Sequence, residues 1–572
     1  MRPESQRLKR GPLNQTIETA NPLTMSFRAP PIRLQRLATA LTFALAFSFF
    51  AHARPNILFI MSDDHTWQAI GSYGSHLKEV APTRNIDRLA DEGMLLKNVF
   101  CTNSICTPSR ATILSGQYSH RNGVLTLADN WNRDHHPNLA VEMQKAGYET
   151  AIIGKWHLHS QPVGFDYYKV LPGQGLYFNP LLKEIGKPWQ DANEGGEPHE
   201  GHSSDVIGSE TLAWLKEKRS PDKPFFLMCH FKAPHGLWEY APRFEDLYEG
   251  IDIPEPHSLF EDSSDRSEGS RAYGSTLSPT NQIRNRVQRM QTKTWPTGTL
   301  DITGMDEKEQ TRAAYQKYLK DYLRCVAGID ENVGRILDYL DEAGLTDDTL
   351  VVYTGDQGMM LGEHDRVDKR WAFEESMRMP FIARYPREIE ANSINKDIIN
   401  NTDFAPTFLE FAGRRSPKEM QGRSFRANLK GRTPRDWRDA TYYRYWMHRA
   451  HHDTPAHYAI RTDRYKLVFY YGLPVHPAIN AIASGETETV TEANMHMISS
   501  WDISKAQPTP AGLELYDLEK DPYEQNNVYL NSTYDKVAEE LKSRLLQYKQ
   551  DIGDLDEPFS KLMERRDTVW GN

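Results

Sequence analysis

Cys106 opens the run CTPSRATILSG (106–116), two residues before Pro108 and four before Arg110. Four roles are open to a thiol so placed: core filler, half of a disulfide with Cys101, a nucleophile, or the precursor of a group that the standard side chains cannot provide. A thiolate nucleophile wants an adjacent base, and no Cys-His pairing is present locally. Inert burial and a disulfide explain neither the proline nor the arginine. Asp63 and Asp64 are adjacent carboxylates, and Asp356 with Gln357 sits in a GDQG turn. Carboxylates held close repel one another, and a multivalent cation relieves the repulsion. This four-oxygen donor set suits hard Ca²⁺ or Mg²⁺ better than Zn²⁺, which prefers nitrogen and sulfur. Lys155 and His157 in GKWHLH, His235 in KAPH, and Lys369 with Arg370 in DKR add cations and proton carriers from three further stretches. Singly each reads as surface decoration; together they make a pocket for an anion. His159, His364 and the run HRAHH (448–452) either face a substrate or are simply hydrated.

The elements that carry these residues share one pattern. RPNILFIMSDDH, YETAIIGKWHLH, PFFLMCHFKAPH and DTLVVYTGDQG are each an apolar run ending in a polar cluster, which reads as a buried strand delivering chemistry at its C-terminal edge. Helical periods lie between them, most clearly over 307–344, so the fold class is α/β: a large mixed sheet flanked by helices on both faces. Ligands of such sheets bind outside the carboxyl ends of the strands, which brings the four clusters together. The polar, Ser-rich stretch 257–305 reads as an insertion or lid near that site. From about residue 431 short strands and a terminal helix near 533–550 predict a smaller C-terminal α+β subdomain, giving a catalytic domain over 54–430 and the subdomain over 431–572.

With 572 residues, 39% hydrophobic and 26% charged, the chain has ample material for a core. A net charge of −10 argues against a nucleic-acid partner, whose phosphates need a basic surface. Four cysteines in such a length make no disulfide framework. After Met25, basic residues precede LATALTFALAFSFF and then AHA (51–53), the pattern of a cleaved secretory signal. Residues 1–53 are therefore expected to be a lead and signal, handed to the secretion machinery, with the mature protein exported to the periplasm or beyond; an uncleaved anchor is the alternative. The segment YYRYWMHRAHH (442–452) offers rings to stack on sugar faces and cations to meet anions, or else rings that pack a core.

CTPSRATILSG closely resembles the defining signature of the formylglycine-dependent sulfatases of the alkaline-phosphatase superfamily, with Ser115 where threonine is commoner. NILFIMSDDH, GKWHLH, KAPH, GDQGMMLGEHDRVDKRWAFEESMRMPFI and LYDLEKDPYEQNN extend the resemblance along the mature chain in the family's order. It implies an alkaline-phosphatase-like fold and a Cys106 oxidised to formylglycine before folding, by a maturation enzyme that reads Pro108 and Arg110. The hydrated aldehyde is then a geminal diol. One hydroxyl attacks sulfur as the ester alcohol leaves, and the other loses its proton to expel sulfate, a release that a serine could not perform. By motif position, Asp63, Asp64, Asp356 and Gln357 hold one Ca²⁺; many relatives have asparagine at the Gln357 position. Arg110 and Lys155 steady the diol, and His157 takes its proton. His235 and Lys369 bind sulfate and assist the leaving oxygen, with Arg370 a further substrate contact. The expected substrate is a sulfated polysaccharide or oligosaccharide. A phosphate-ester or phosphonate hydrolase and an inactive glycan-binding protein are the alternatives.

Overall fold

The computed structural model describes residues 54–81, 83–131, 134–189, 191–281, 284–475 and 507–571. The expected signal, 1–53, lies outside them. The four apolar runs become the strands Asn56–Ser62, Glu149–Lys155, Phe225–Phe231 and Thr349–Gly355, almost wholly buried, as parallel strands covered on both faces must be. They are immediate neighbours. Asn56–Ser62 pairs in parallel with Phe225–Phe231 on one side and Thr349–Gly355 on the other, and Glu149–Lys155 pairs in parallel with the far side of Phe225–Phe231. The register sets Ser62 against Phe231 and Gly355, and Gly154 against His230, so the four strands end at one level. The polar clusters after them emerge along a single edge.

The whole sheet is mixed and holds eleven strands among the described residues. Arg378–Arg384 runs antiparallel between Thr349–Gly355 and Met94–Phe100. Alternation along the first strand explains the two cores. Leu58 and Ile60 pack with Tyr315, Tyr322 and Ile329 of the long helix Glu307–Glu342, while Ile57, Phe59 and Met61 pack with Ile113 of helix Cys106–Ser115 and with Phe404 and Phe408. The long helix starts at a capping box, Asp306 with Glu309, which satisfies backbone donors that the helix cannot.

A second, four-stranded antiparallel sheet, Ala440–Tyr445, His457–Thr462, Tyr465–Tyr470 and Gly512–Asp517, forms the smaller subdomain with helix Asp535–Ile552 packed on it. Tyr442, Tyr443, Tyr445 and Trp446 are buried there, so the rings of 442–446 are core and not a sugar platform. Of the two readings of 257–305, the stretch is a packed insertion and not a loose lid. Val287, Met290 and Trp295 anchor it in the main core, Thr276 bridges to Asn285 and Arg366, and Arg286–Met290 is helical. Its polarity hid these few well-spaced apolar anchors.

Candidate active site

Helix Cys106–Ser115 is buried along its full length and starts at the cysteine itself. Pro108 sits in the first turn, where its missing N–H costs no intrahelical bond. The Cys106 thiol is therefore presented at the positive end of a helix, on the floor of a cavity of about 260 Å³ whose walls include Asp64, Gln174, His235, Lys369 and Arg370. Burial, reinforced by the charge of Asp63, pushes this thiol well above its ordinary pKa, which argues against a resting thiolate. All four cysteines are buried free thiols, so Cys101 and Cys106 form no disulfide.

Beneath the cavity, carboxylate oxygens of Asp63, Asp64 and Asp356 lie within 4.8 Å of one another, all fully enclosed. Each is met by a cation. Lys155 bonds Asp63, Lys369 bonds Asp64 at 2.5 and 2.6 Å, and Arg110 bonds Asp356 at 2.9 and 3.0 Å. Burial pushes the Asp63 carboxyl up, but the permanent cations Lys155 and Arg110 outweigh it and hold Asp63 well below the usual carboxylate range. Burial and Asp63 push Asp356 up to about 7 against the pull of Arg110, and burial raises Asp64 as well. Enclosure thus makes Asp64 and Asp356 harder to ionise than Asp63, although each carboxyl has a cation beside it. Gln357 donates its amide N–H to Asp64, while its Oε1 is buried with no hydrogen-bond partner among the described residues. Three carboxylates and an orphaned amide oxygen fit a hard divalent cation.

The remaining side chains expected at the site arrive at the same edge. The Cys106 Sγ lies 3.3 Å from Asp63 Oδ1. His235 donates from Nδ1 to the Gly236 carbonyl at 2.7 Å, so Nε2 is the nitrogen left 3.9 Å from Asp64 Oδ2. His157 is buried, its backbone carbonyl accepts from Thr107 at 3.1 Å, and its Nδ1 has no partner among the described residues. Burial, aided by Lys155, holds that imidazole neutral. Arg370 is buried against Asp368, to which His452 comes within 3.4 Å. Asp64, His157, Asp368, Arg370 and His451 all have positive φ between 52° and 94°, strain of the kind that gathers at functional sites. His159 and His364 do not line the cavity; they bond the Leu127 carbonyl and Glu261.

Sequence reasoning missed several cavity residues: Gln174, which accepts from Lys155 at 2.6 Å; Asp368; and Arg284, Arg286 and Arg289 from the inserted stretch. His451 and His452, from the HRAHH run, also reach the cavity. Three arginines within six residues of a Ser-rich insert in an acidic chain were the available signal.

The family model "Sulfatase" matches residues 55–414. The chain belongs to the sulfatase family. A second model, "N-sulphoglucosamine sulphohydrolase, C-terminal", matches residues 362–477 of this sulfatase. It is similar to an N-acetylglucosamine-6-O-sulfatase of Bacteroides thetaiotaomicron, 36% identical over an alignment of 539 residues that covers 88% of this chain and 88% of that one. An ulvan-active sulfatase of Formosa agariphila is 25% identical over 88% of this chain and 81% of its own. A solved structure in complex with its substrate D-glucosamine-2-N,6-O-disulfate superposes with a TM-score of 0.73 at 34% identity, covering 89% of this chain and 100% of that one. The chain is a sulfuric ester hydrolase, and its fold is that of the alkaline-phosphatase-like sulfatases.

Proposed function

We propose that this sulfatase is exported and removes the 6-O-sulfate of an N-substituted glucosamine in a sulfated saccharide, using a formylglycine made from Cys106 and one Ca²⁺. The observation that carries the reading is the convergence of Cys106, three enclosed carboxylates and the orphaned Gln357 oxygen at the end of a cavity walled by cations. A relative named for N-acetylglucosamine 6-O-sulfate and a solved complex with D-glucosamine-2-N,6-O-disulfate, each above 30% identity, support the sugar; the signal-like segment before residue 54 supports export. Burial of Arg110, at 2% exposure, supports modification before folding, since a maturation enzyme could not read that side chain afterwards.

When present, the formylglycine hydrate supplies a hydroxyl nucleophile and Ca²⁺ supplies Lewis-acid polarisation of a sulfate oxygen. Asp63, Asp64, Asp356 and Gln357 would hold the ion, and their three charges are already balanced by Arg110, Lys155 and Lys369. The loaded site is then net positive, which suits a sulfate ester. Arg110 and Lys155 keep Asp63 ionised beside position 106, where it accepts a hydrogen bond from the nucleophilic group. His157, neutral and unpartnered at Nδ1, takes the proton released there when sulfate departs. Lys369 and Arg370 bind sulfate and sugar oxygens. His235 holds a proton at Nε2 for the leaving sugar oxygen, a poor leaving group without it.

The experiment is mass spectrometry of the Cys106 peptide from protein made alongside a maturation enzyme, with sulfate release from N-acetylglucosamine 6-sulfate measured on the same sample. A peptide about 18 Da lighter than the thiol form, as exchange of sulfur for an aldehyde oxygen requires, together with turnover, is the expected result. An unmodified thiol in a fully active sample overturns the nucleophile; a modified but inactive sample overturns the sugar.

A further inference from the structure

Arg284, Arg286 and Arg289 line the same cavity as Cys106 and Lys369, yet none makes an ion pair or a side-chain hydrogen bond with a described residue. Arg286 is the most telling. It is 6% exposed, its Nε has no partner, and its guanidinium lies over the Trp238 ring at 5.5 Å. Burial lowers its pKa to about 10, the mark of a cation missing its counter-charge. The nearby carboxylate of Asp368 is already bonded by Arg370 and approached by His452, so it does not neutralise the group. Enclosing a charge without a partner is costly, and a ligand anion is the counter-charge that the cavity leaves room for. The reacting sulfate has its own cations, Lys369 and the loaded carboxylate cluster, delivered by other strands. The planar guanidinium fork suits the paired oxygens of a sulfate or carboxylate.

We infer that Arg284, Arg286 and Arg289 form a second anion subsite that binds a further sulfate or carboxylate on the same saccharide, so that the enzyme selects multiply charged substrates. The inference rests on the sulfated amino-sugar reading above and names its charge pattern.

The test is calorimetric titration of the calcium-loaded Cys106→Ala protein, which binds without turnover. The ligands are N-acetylglucosamine 6-sulfate, D-glucosamine-2-N,6-O-disulfate and a disaccharide joining glucosamine 6-sulfate to a uronate. A charge-assisted contact predicts that at least one doubly charged ligand binds about tenfold tighter than the monosulfate. Arg286→Gln and, at a half-buried position that tolerates change better, Arg284→Gln should each erase that gain while leaving monosulfate affinity unchanged. A gain with the disulfate alone assigns the subsite to sulfate; a gain with the uronate alone assigns it to carboxylate. Equal affinity for all three ligands, or a gain that survives both substitutions, overturns the subsite. Sulfate release from the monosulfate by the unsubstituted, mature enzyme is measured in parallel. Its absence overturns the 6-O-sulfatase reading, while the affinity ratios still decide the subsite.

Discussion

At the scale of single residues, His235 and Gln357 make the sharpest claims. Burial outweighs the attraction of Asp63 and holds the His235 imidazolium well below its ordinary pKa, so in the free site the ring is neutral. In the proposed mechanism the negative charge of a bound sulfate ester would restore its proton affinity beside the leaving oxygen. Replacing it, His235→Gln, should lower kcat on a sugar sulfate by about 10²–10⁴-fold, the usual worth of a general acid. The loss on 4-nitrophenyl sulfate should be far smaller, because nitrophenolate leaves without a proton. Equal losses on the two substrates would remove His235 from the acid role. Gln357 is tested without turnover. Calcium that binds only the folded protein stabilises it by about 2.7 kcal/mol at a hundredfold excess over Kd. The melting temperature should rise with calcium, and Gln357→Leu, which deletes the orphaned oxygen, should move that rise to higher calcium concentration. A calcium response identical in the two proteins would show that the amide oxygen is not a ligand.

At the scale of elements, the placement of these side chains was legible because it follows strands. Each of the four apolar runs ends in its polar cluster, and parallel neighbours must end at one edge, so Asp63, Lys155, His235 and Asp356 could be brought together from sequence alone. Arg286 could not, since its position depends on three apolar anchors, Val287, Met290 and Trp295, too sparse to form a period. The rings of 442–446 were ambiguous for a different reason: tyrosine and tryptophan serve a core and a sugar face equally well, and only burial separates the two. The two elements that brace the sheet also make a pH prediction. Asp330, on the long helix, accepts backbone N–H bonds from Asn85 and Ile86 in the first turn of helix Arg84–Asp91 at 2.9 to 3.2 Å. Burial outweighs those bonds and raises its pKa from 3.8 to about 6. The folded state therefore binds its proton more tightly than the unfolded chain does. That stabilisation is fully present below about pH 4 and is lost as pH rises through about 6, a change on the order of 3 kcal/mol for two units. Denaturant unfolding of wild type against Asp330→Asn across this window should show a steeper loss of stability with rising pH in the wild type than in the variant. Parallel profiles would mean that the carboxyl titrates alike in both states.

At the scale of the whole molecule, the small sheet buttresses the catalytic one. The Arg444 backbone N–H donates to the Thr102 carbonyl at 3.0 Å, four residues before Cys106, and the Tyr443 hydroxyl donates to the Arg370 carbonyl at 2.6 Å. That strand is in turn fixed to the end of helix Asp535–Ile552 by an enclosed charge network: Arg444 to Asp554 at 2.6 Å, Lys549 to Asp556 at 3.0 Å, and the Tyr442 hydroxyl to Asp554. Removing one partner of a buried pair leaves a charge without compensation and typically costs about 3–5 kcal/mol, whereas an exposed pair is worth about 0–1 kcal/mol. Asp554→Ala should therefore fall near the lower end of the buried range, because Asp556 stays 3.7 Å from Arg444. Asp439→Ala, which removes an exposed partner of Arg544 on the same subdomain, should change stability little. Because the buttressed strand holds the backbone at Thr102 and Arg370, kcat/KM on the sugar sulfate should fall for Asp554→Ala and not for Asp439→Ala at a temperature where both variants are folded. A destabilised Asp554→Ala protein that keeps full kcat/KM would confine the network to stability and separate the small sheet from the geometry of the cleft.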